Sequence, residues 1–273
     1  RNVPVKFKRL FSGRVTVERL DNYGTLPYNE NRFYLGGAIM KINTSIVWMC
    51  VASLALGACQ TTSLGTREFL WDANSKRRVL LMPVDVELSL LNAGGVTEPN
   101  AAWTETAKKL AIAAMREKLG ETSAKLVKVG PDFADKDPES SEVQLVKLHG
   151  AVGGAILVHK YVPVLSLPTK SDVFDWTLGS DVKLLAEKHN ADYALFVYVR
   201  DSYTSAGRAA VILFAAVLGV GVRGGSQIGF ASLVDLKSGE IVWFNRLARG
   251  HGDLRQASGA KDTVSALLTN FPK

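Results

Sequence analysis

The stretch LLAEKHNADYALFVYV, Leu184 to Val199, changes period partway through, and that change decides the fold. Up to His189 the residues are Leu, Ala, Glu and Lys at helical spacing, with Lys188 and His189 placed favourably at the negative end of a helix. Ser180 stands where an N-cap belongs, so a helix is predicted over Ser180 to His189. From Ala191 to Arg200 the side chains become aromatic and β-branched, which predicts a strand. A helix feeding directly into an apolar strand is the unit of an α/β protein.

Reading outward, Arg78 to Leu88 (RVLLMPVDVEL) begins as a continuous apolar run and then alternates, as a strand leaving a buried sheet would. Asn100 to Leu119 is rich in Ala, Lys and Glu, preceded by Pro99 and stopped by Gly120, and predicts a helix. Leu126 to Val129 is a short strand. Glu142 to Tyr161 has helical spacing at Leu145, Leu148, Val152 and Ile156, interrupted by Gly150, Gly153 and Gly154. Gln227 to Leu236 and Glu240 to Leu247 read as two strands joined by a Lys237-Ser238-Gly239 turn. Asp262 to Leu268 closes the chain as a short helix. The predicted order is β-α-β-α-α-β-β-β-α, a mixed β-sheet flanked by helices in one α/β domain over residues 77–273.

Before that domain the chain reads MKINTSIVWMCVASLALGACQTT from Met40. Met40 and Lys41 form a short positive region, Ile46 to Leu56 is uncharged and apolar, and Gly57 and Ala58 are small. This is the layout of a secretory signal over residues 40–58, and the run falls short of the ~20 apolar residues of a spanning helix. Gln60 to Lys76 is Thr/Ser-rich and is expected to be a tether. The segment 1–39 contains no methionine, and Gly36-Gly37 matches an in-frame translation of a GGAGG-like ribosome site. It reads as upstream sequence or a mis-assigned start, the alternative being a real extension.

Charge follows the same division. The chain carries +7, with 33 Lys/Arg and 26 Asp/Glu. Residues 1–58 hold eight basic and three acidic residues, which leaves 25 (33 less 8) against 23 (26 less 3) in the rest. The excess needed for a nucleic-acid partner is therefore not in the domain. Two cysteines exclude a disulfide framework.

Leu56-Gly57-Ala58-Cys59 resembles the lipobox of bacterial lipoproteins. That resemblance implies cleavage before Cys59 and acylation of its thiol, anchoring the protein to a membrane without spanning it. Gln60 in place of an aspartate implies the outer membrane, periplasmic face. Leu184 to Val199, RVLLMPVD and ASLVDLKSGEIVWFN (Ala231 to Asn245) together resemble the TolB amino-terminal-like lipoproteins, among them CsgG and the lipoproteins that activate penicillin-binding proteins. This implies a non-enzymatic partner in envelope assembly, secretion or regulation, working through envelope proteins or self-association.

Other motifs are weaker. Ala209 to Val222 is fourteen uncharged residues between Arg208 and Arg223. It is too short to span as a helix and does not alternate like a barrel strand. It is either a segment buried within the domain or a contact with the membrane surface or a neighbouring subunit. Gly219, Gly221 and Gly224 spell G-x-G-x-x-G, but a strand is predicted after them, where a dinucleotide site needs a helix. Asp85 and Glu87 share one strand face and support an alternative function, a ligand-binding or hydrolytic lipoprotein; a solvated edge is the simpler reading. His149, His159, His189 and His251 show no metal-ligand spacing, and structural or solvated roles are expected for all four. No catalytic residue, metal or cofactor is expected. Lys76-Arg77-Arg78 reads either as a headgroup contact or as solvated strand-entry charge.

Overall fold

The computed structural model describes residues 33–35, 38–40, 60–65, 77–122, 125–128, 137–170 and 173–272. The chain divides into two units, residues 1–56 and 57–273. In the first, β1 (Phe33–Leu35) and β2 (Ala38–Met40) pair antiparallel. Of the expected signal segment 40–58 all but Met40 lies outside the described residues, as do Cys59 and residues 66–76.

In the second unit the strands are β3 (Gln60–Gly65), β4 (Arg78–Leu81), β5 (Asp85–Leu91), β6 (Thr97–Pro99), β7 (Lys125–Lys128), β8 (Tyr193–Thr204), β9 (Gln227–Asp235) and β10 (Ile241–Arg249). The helices are α1 (Ala101–Gly120), α2 (Ser141–Tyr161), α3 (Lys183–His189), α4 (Ala206–Val217) and α5 (Ala257–Leu267). The sheet runs β3-β10-β9-β8-β4-β7, with β5 continuing beside β8 and β6 beside β5. Pairs β4/β7, β4/β8 and β5/β8 are parallel, while β8/β9, β9/β10 and β10/β3 are antiparallel. The fold is thus the expected α/β class, a mixed sheet flanked by helices.

The twelve-residue β8 is central because both its faces are apolar. Leu195, Val197 and Val199 join α1 and α5 in one core, with Ala107, Met115, Leu119, Ala260 and Val264. Ala194 and Phe196 point the other way, toward Leu145 and Ile156 of α2 and Leu185 of α3. A period of two on a strand buried on both sides yields this three-layer arrangement.

Several elements differ from expectation. The Arg78 to Leu88 run is two strands, because Pro83 has no N–H to give the ladder. Beyond Leu88 the chain makes a tight return: Asn92 N donates to Val96 O at 2.9 Å and β6 pairs back on β5. Ser180 does not cap α3. It opens a short 3-10 turn, Ser180–Val182, and its hydroxyl meets the Asp181 carboxylate. Residues 60–65, expected to be tether, form an edge strand on β10, with Gln60 opposite Ala248 and Gly65 opposite Trp243. Threonine and serine suit a strand whose main contribution is backbone pairing. The turn between β9 and β10 is as expected, with Gly239 at φ 84°.

The glycines that interrupt the α2 pattern have a packing reason. A Cβ on Gly153 would lie 1.9 Å from the Phe230 ring, whereas one on Gly154 would meet nothing within 4 Å. Gly153→Ala should therefore cost about 1–3 kcal/mol by overpacking, and Gly154→Ala should gain up to about 1 kcal/mol of helix propensity. Urea midpoints moving in the same direction for both would contradict the docking of α2 on Phe230.

Candidate functional site

At one end of the sheet β8 leaves through Ser205 and returns to β9 through Gly224-Gly225-Ser226. Ser205 Oγ accepts from Arg208 N at 3.1 Å, capping α4. Gly219, at φ 74°, ends the helix, with its N–H on Ala216 O. The return passes so close to β8 that a Cβ on Gly225 would sit 2.2 Å from Ser202 O. Ser202 N donates to Ser226 O, Ser226 N to Ser202 Oγ and Gly225 N to Thr204 Oγ1, at 2.8–3.0 Å. Arg208 closes the excursion. Its guanidinium donates to Arg223 O at 2.9 and 3.1 Å and to Ala93 O at 3.4 Å.

The apolar segment is thus helical up to Val217, and no residue of α4 is buried. Leu213 and Phe214 are each 70% exposed and Val217 85%. Only Arg208, Ile212 and Ala215 on α4 are half-covered, one narrow stripe facing the body. The Gly219-Gly221-Gly224 motif leads from this helix into β9, so no helix amino end follows it.

Beside the base of α4 lies a cleft of about 240 Å³, lined among others by Asp201, Tyr203, Gln227 and His251. Behind it runs a buried polar chain that the sequence reading missed. Asp201 Oδ2 accepts from the Tyr203 hydroxyl at 2.6 Å and from Gln227 Nε2 at 2.7 Å. Gln227 Oε1 accepts from Arg249 Nε at 2.8 Å and from the Thr263 hydroxyl at 3.1 Å. Arg249 donates further to Thr263 Oγ1 at 2.8 Å and pairs with Asp262 at 2.7 Å. Burial pushes the Asp201 carboxyl above the usual range, against the pull of its two donors. Burial and the neighbouring Asp201 likewise raise Tyr203. A shifted carboxyl in a cleft is a functional candidate in general. Here it is engaged by two internal donors, and the chain stitches β8, β9, β10 and α5 together. The Ser202 hydroxyl donates to Ser226 O, and Thr204 Oγ1 accepts from Gly225 N.

The residues singled out from sequence lie apart. Asp85 accepts from Arg200 Nη1 at 2.8 Å, and Arg200 rests over the Tyr198 ring at 4.0 Å. Glu87, paired in register with Arg200, shares that sheet face, and neither carboxylate lines the cleft. His149 is buried, its Nε2 2.9 Å from Ser232 Oγ. His159 Nδ1 meets Leu165 O at 2.8 Å and His189 Nε2 meets Glu142 at 3.3 Å. His251 sits exposed at the cleft. Among the described residues no three His, Cys, Asp or Glu side chains could hold a metal ion. Arg78 is taken up by Asp192 at 2.9 Å, and Arg77 lines an open groove with Lys183 and Lys237. That groove lies where β8 begins, at the sheet end opposite α4.

No family model and no curated protein matches the chain. Among solved structures it is similar to the PelC dodecamer from Paraburkholderia phytofirmans, at 12% identity and a TM-score of 0.34, over 77% of this chain and 95% of that one. A point variant of the same protein gives 14% identity and a TM-score of 0.36 over 77% and 96%. These are distant likenesses, and nothing about function rests on them.

Proposed function

We propose that the chain is a lipid-anchored envelope protein, held through acylated Cys59 at the periplasmic face of a bacterial outer membrane. There it acts without catalysis as an assembly, secretion or regulatory partner, in the manner of the TolB amino-terminal-like and CsgG-like lipoproteins it resembles. The observation that carries the reading is the lipobox Leu56 to Cys59, which ends one residue before a strand of the domain. An anchor so placed holds the domain close to the bilayer, with little slack for a soluble life. The exposed α4 supports the same reading, since a large apolar surface marks a contact. A hydrolytic or ligand-binding role would need Asp85 and Glu87 to converge in a cleft. Asp85 is instead committed to Arg200.

Under this reading acylation begins at the Cys59 thiol, so Cys59→Ser should abolish labelling with radioactive palmitate and release the protein from the membrane fraction. Label that persists in the variant refutes the anchor.

A further inference from the structure

We infer that α4 is a second membrane contact, an apolar helix that beds into the same leaflet that holds the acyl chains. The inference rests on the lipid-anchored reading above and adds to it a site and an orientation. A helix of twelve residues is marginal in water by itself, and one that is apolar on every side is normally buried in protein or in lipid. This helix is fixed by hydrogen bonds at its base, through the Ser205 cap and the Arg208 staple, while its large side chains face outward. Leu218 and Val220, just beyond it, are 65% and 55% exposed and extend the same surface.

Three observations choose lipid as the occupant. The first is the form of the exposure. A helix that docks on a protein presents one stripe to it, whereas here everything outside the half-covered Arg208–Ile212–Ala215 stripe is open, Ala209, Leu213, Phe214 and Val217 included. The second is charge. No ionisable residue occurs between Arg208 and Arg223, and these two cations flank the apolar stretch without an ion pair among the described residues. Guanidinium groups at the base of an apolar projection suit anionic headgroups above a hydrocarbon layer. The third is register. Gln60 lies opposite Ala248, and Ala248 opposite Ile228, in one row across β3, β10 and β9. Ile228 follows the Gly224–Ser226 return from α4 by two residues. The first residue after the lipidation site is therefore two strands away from Ile228, roughly 10 Å at ~4.8 Å per strand, at the sheet end from which α4 projects. Anchor and helix leave the same end of the sheet. At ~1.5 Å per residue the helix is about 18 Å long, short of the ~30 Å hydrocarbon core, so it enters one leaflet and does not cross.

The mature chain after cleavage holds no cysteine beyond Cys59, so an introduced thiol can be spin-labelled alone. Phe214→Cys and Leu213→Cys, both exposed sites, would be labelled in the acylated protein reconstituted in phosphatidylethanolamine–phosphatidylglycerol vesicles. Lys237→Cys at the opposite sheet end serves as reference. At 213 and 214 oxygen collisions should exceed those of a water-soluble nickel chelate several-fold, with the reverse at 237. Labels at 213 and 214 open to nickel would overturn the inference. Labels shielded from both reagents would overturn it too, by showing a second copy or another protein as the cover. The mass of the amino-terminal peptide from the same sample separates the two claims. An acylated sample with wet labels sinks the helix contact alone, and an unacylated sample with lipid-embedded labels sinks the anchor alone.

Discussion

Lowering the pH from 7 to about 4 should strip several kcal/mol from the stability of the domain, and His149 should account for most of the loss. Its ring is 1% exposed and packs against Phe196 at 5.0 Å and Phe230 at 5.1 Å, with the Ser232 hydroxyl on Nε2. Burial, with no charged partner to offset it, pushes its pKa from 6.5 down to about 3. The folded state therefore keeps the ring neutral, while the unfolded chain takes up a proton below pH 6.5. Stability is complete above that value and falls by up to about 1.4 kcal/mol per pH unit as the pH drops toward 3. Against a total of ~5–15 kcal/mol for a domain, that loss is large. Asp201 works in the opposite sense, because a raised carboxyl pKa favours the folded state as the pH falls. Asp192 and Asp253, lowered by Arg78 and Arg255, work in the same sense as His149 but only below the ordinary carboxylate range. Comparison with His149→Gln isolates the histidine. Urea midpoints at pH 7 and pH 4.5 should differ by much less in the variant, and equal shifts in the two proteins would contradict the assignment.

Arg249→Leu should cost about 2–4 kcal/mol, while Asp262→Ala should cost less than about 1 kcal/mol. The two residues form one ion pair, yet their surroundings differ. The Arg249 side chain is 3% exposed and that of Asp262 61%. Losing the guanidinium leaves buried Gln227 and Thr263 each short of a partner, at ~1–3 kcal/mol for an unsatisfied group. Losing Asp262 removes an exposed partner whose contribution is screened by water. Denaturant titration of the two variants reads the difference. Equal effects would mean that the polar chain behind the cleft is held by the surface pair and not by its buried bonds.

Where the sequence carried a strong period, the structure follows it. Leu184 to Val199 became α3 and β8, Asn100 caps α1 by accepting from Trp103 N at 3.0 Å, and the Lys237–Gly239 turn joins β9 to β10. The elements that escaped were those whose signal is not hydrophobic periodicity. Gln60 to Gly65 has a loop's composition, and its strand state comes from an open β10 edge that no local pattern announces. Gly153 looked like a helix breaker because the Phe230 ring that needs its missing Cβ lies 77 positions away. The uniform apolarity of Ala209 to Val222 identified a special segment but carried no period to say which side would be covered. The Asp201–Gln227–Arg249–Thr263 chain was invisible for a related reason, its members coming from β8, β9, β10 and α5. Asp201 in particular read as the residue just past a strand, whereas β8 runs on to Thr204.

The proposed anchor at Cys59 underlies the orientation argued for α4 and the role proposed for the whole chain. Its most direct test is mass spectrometry of the amino-terminal peptide of protein purified from envelopes. The account predicts a peptide beginning at Cys59 and heavier by a thioether-linked diacylglycerol, with or without a further acyl group on the new amine. An uncleaved polypeptide carrying residues before Cys59 and a free thiol at that position would contradict it.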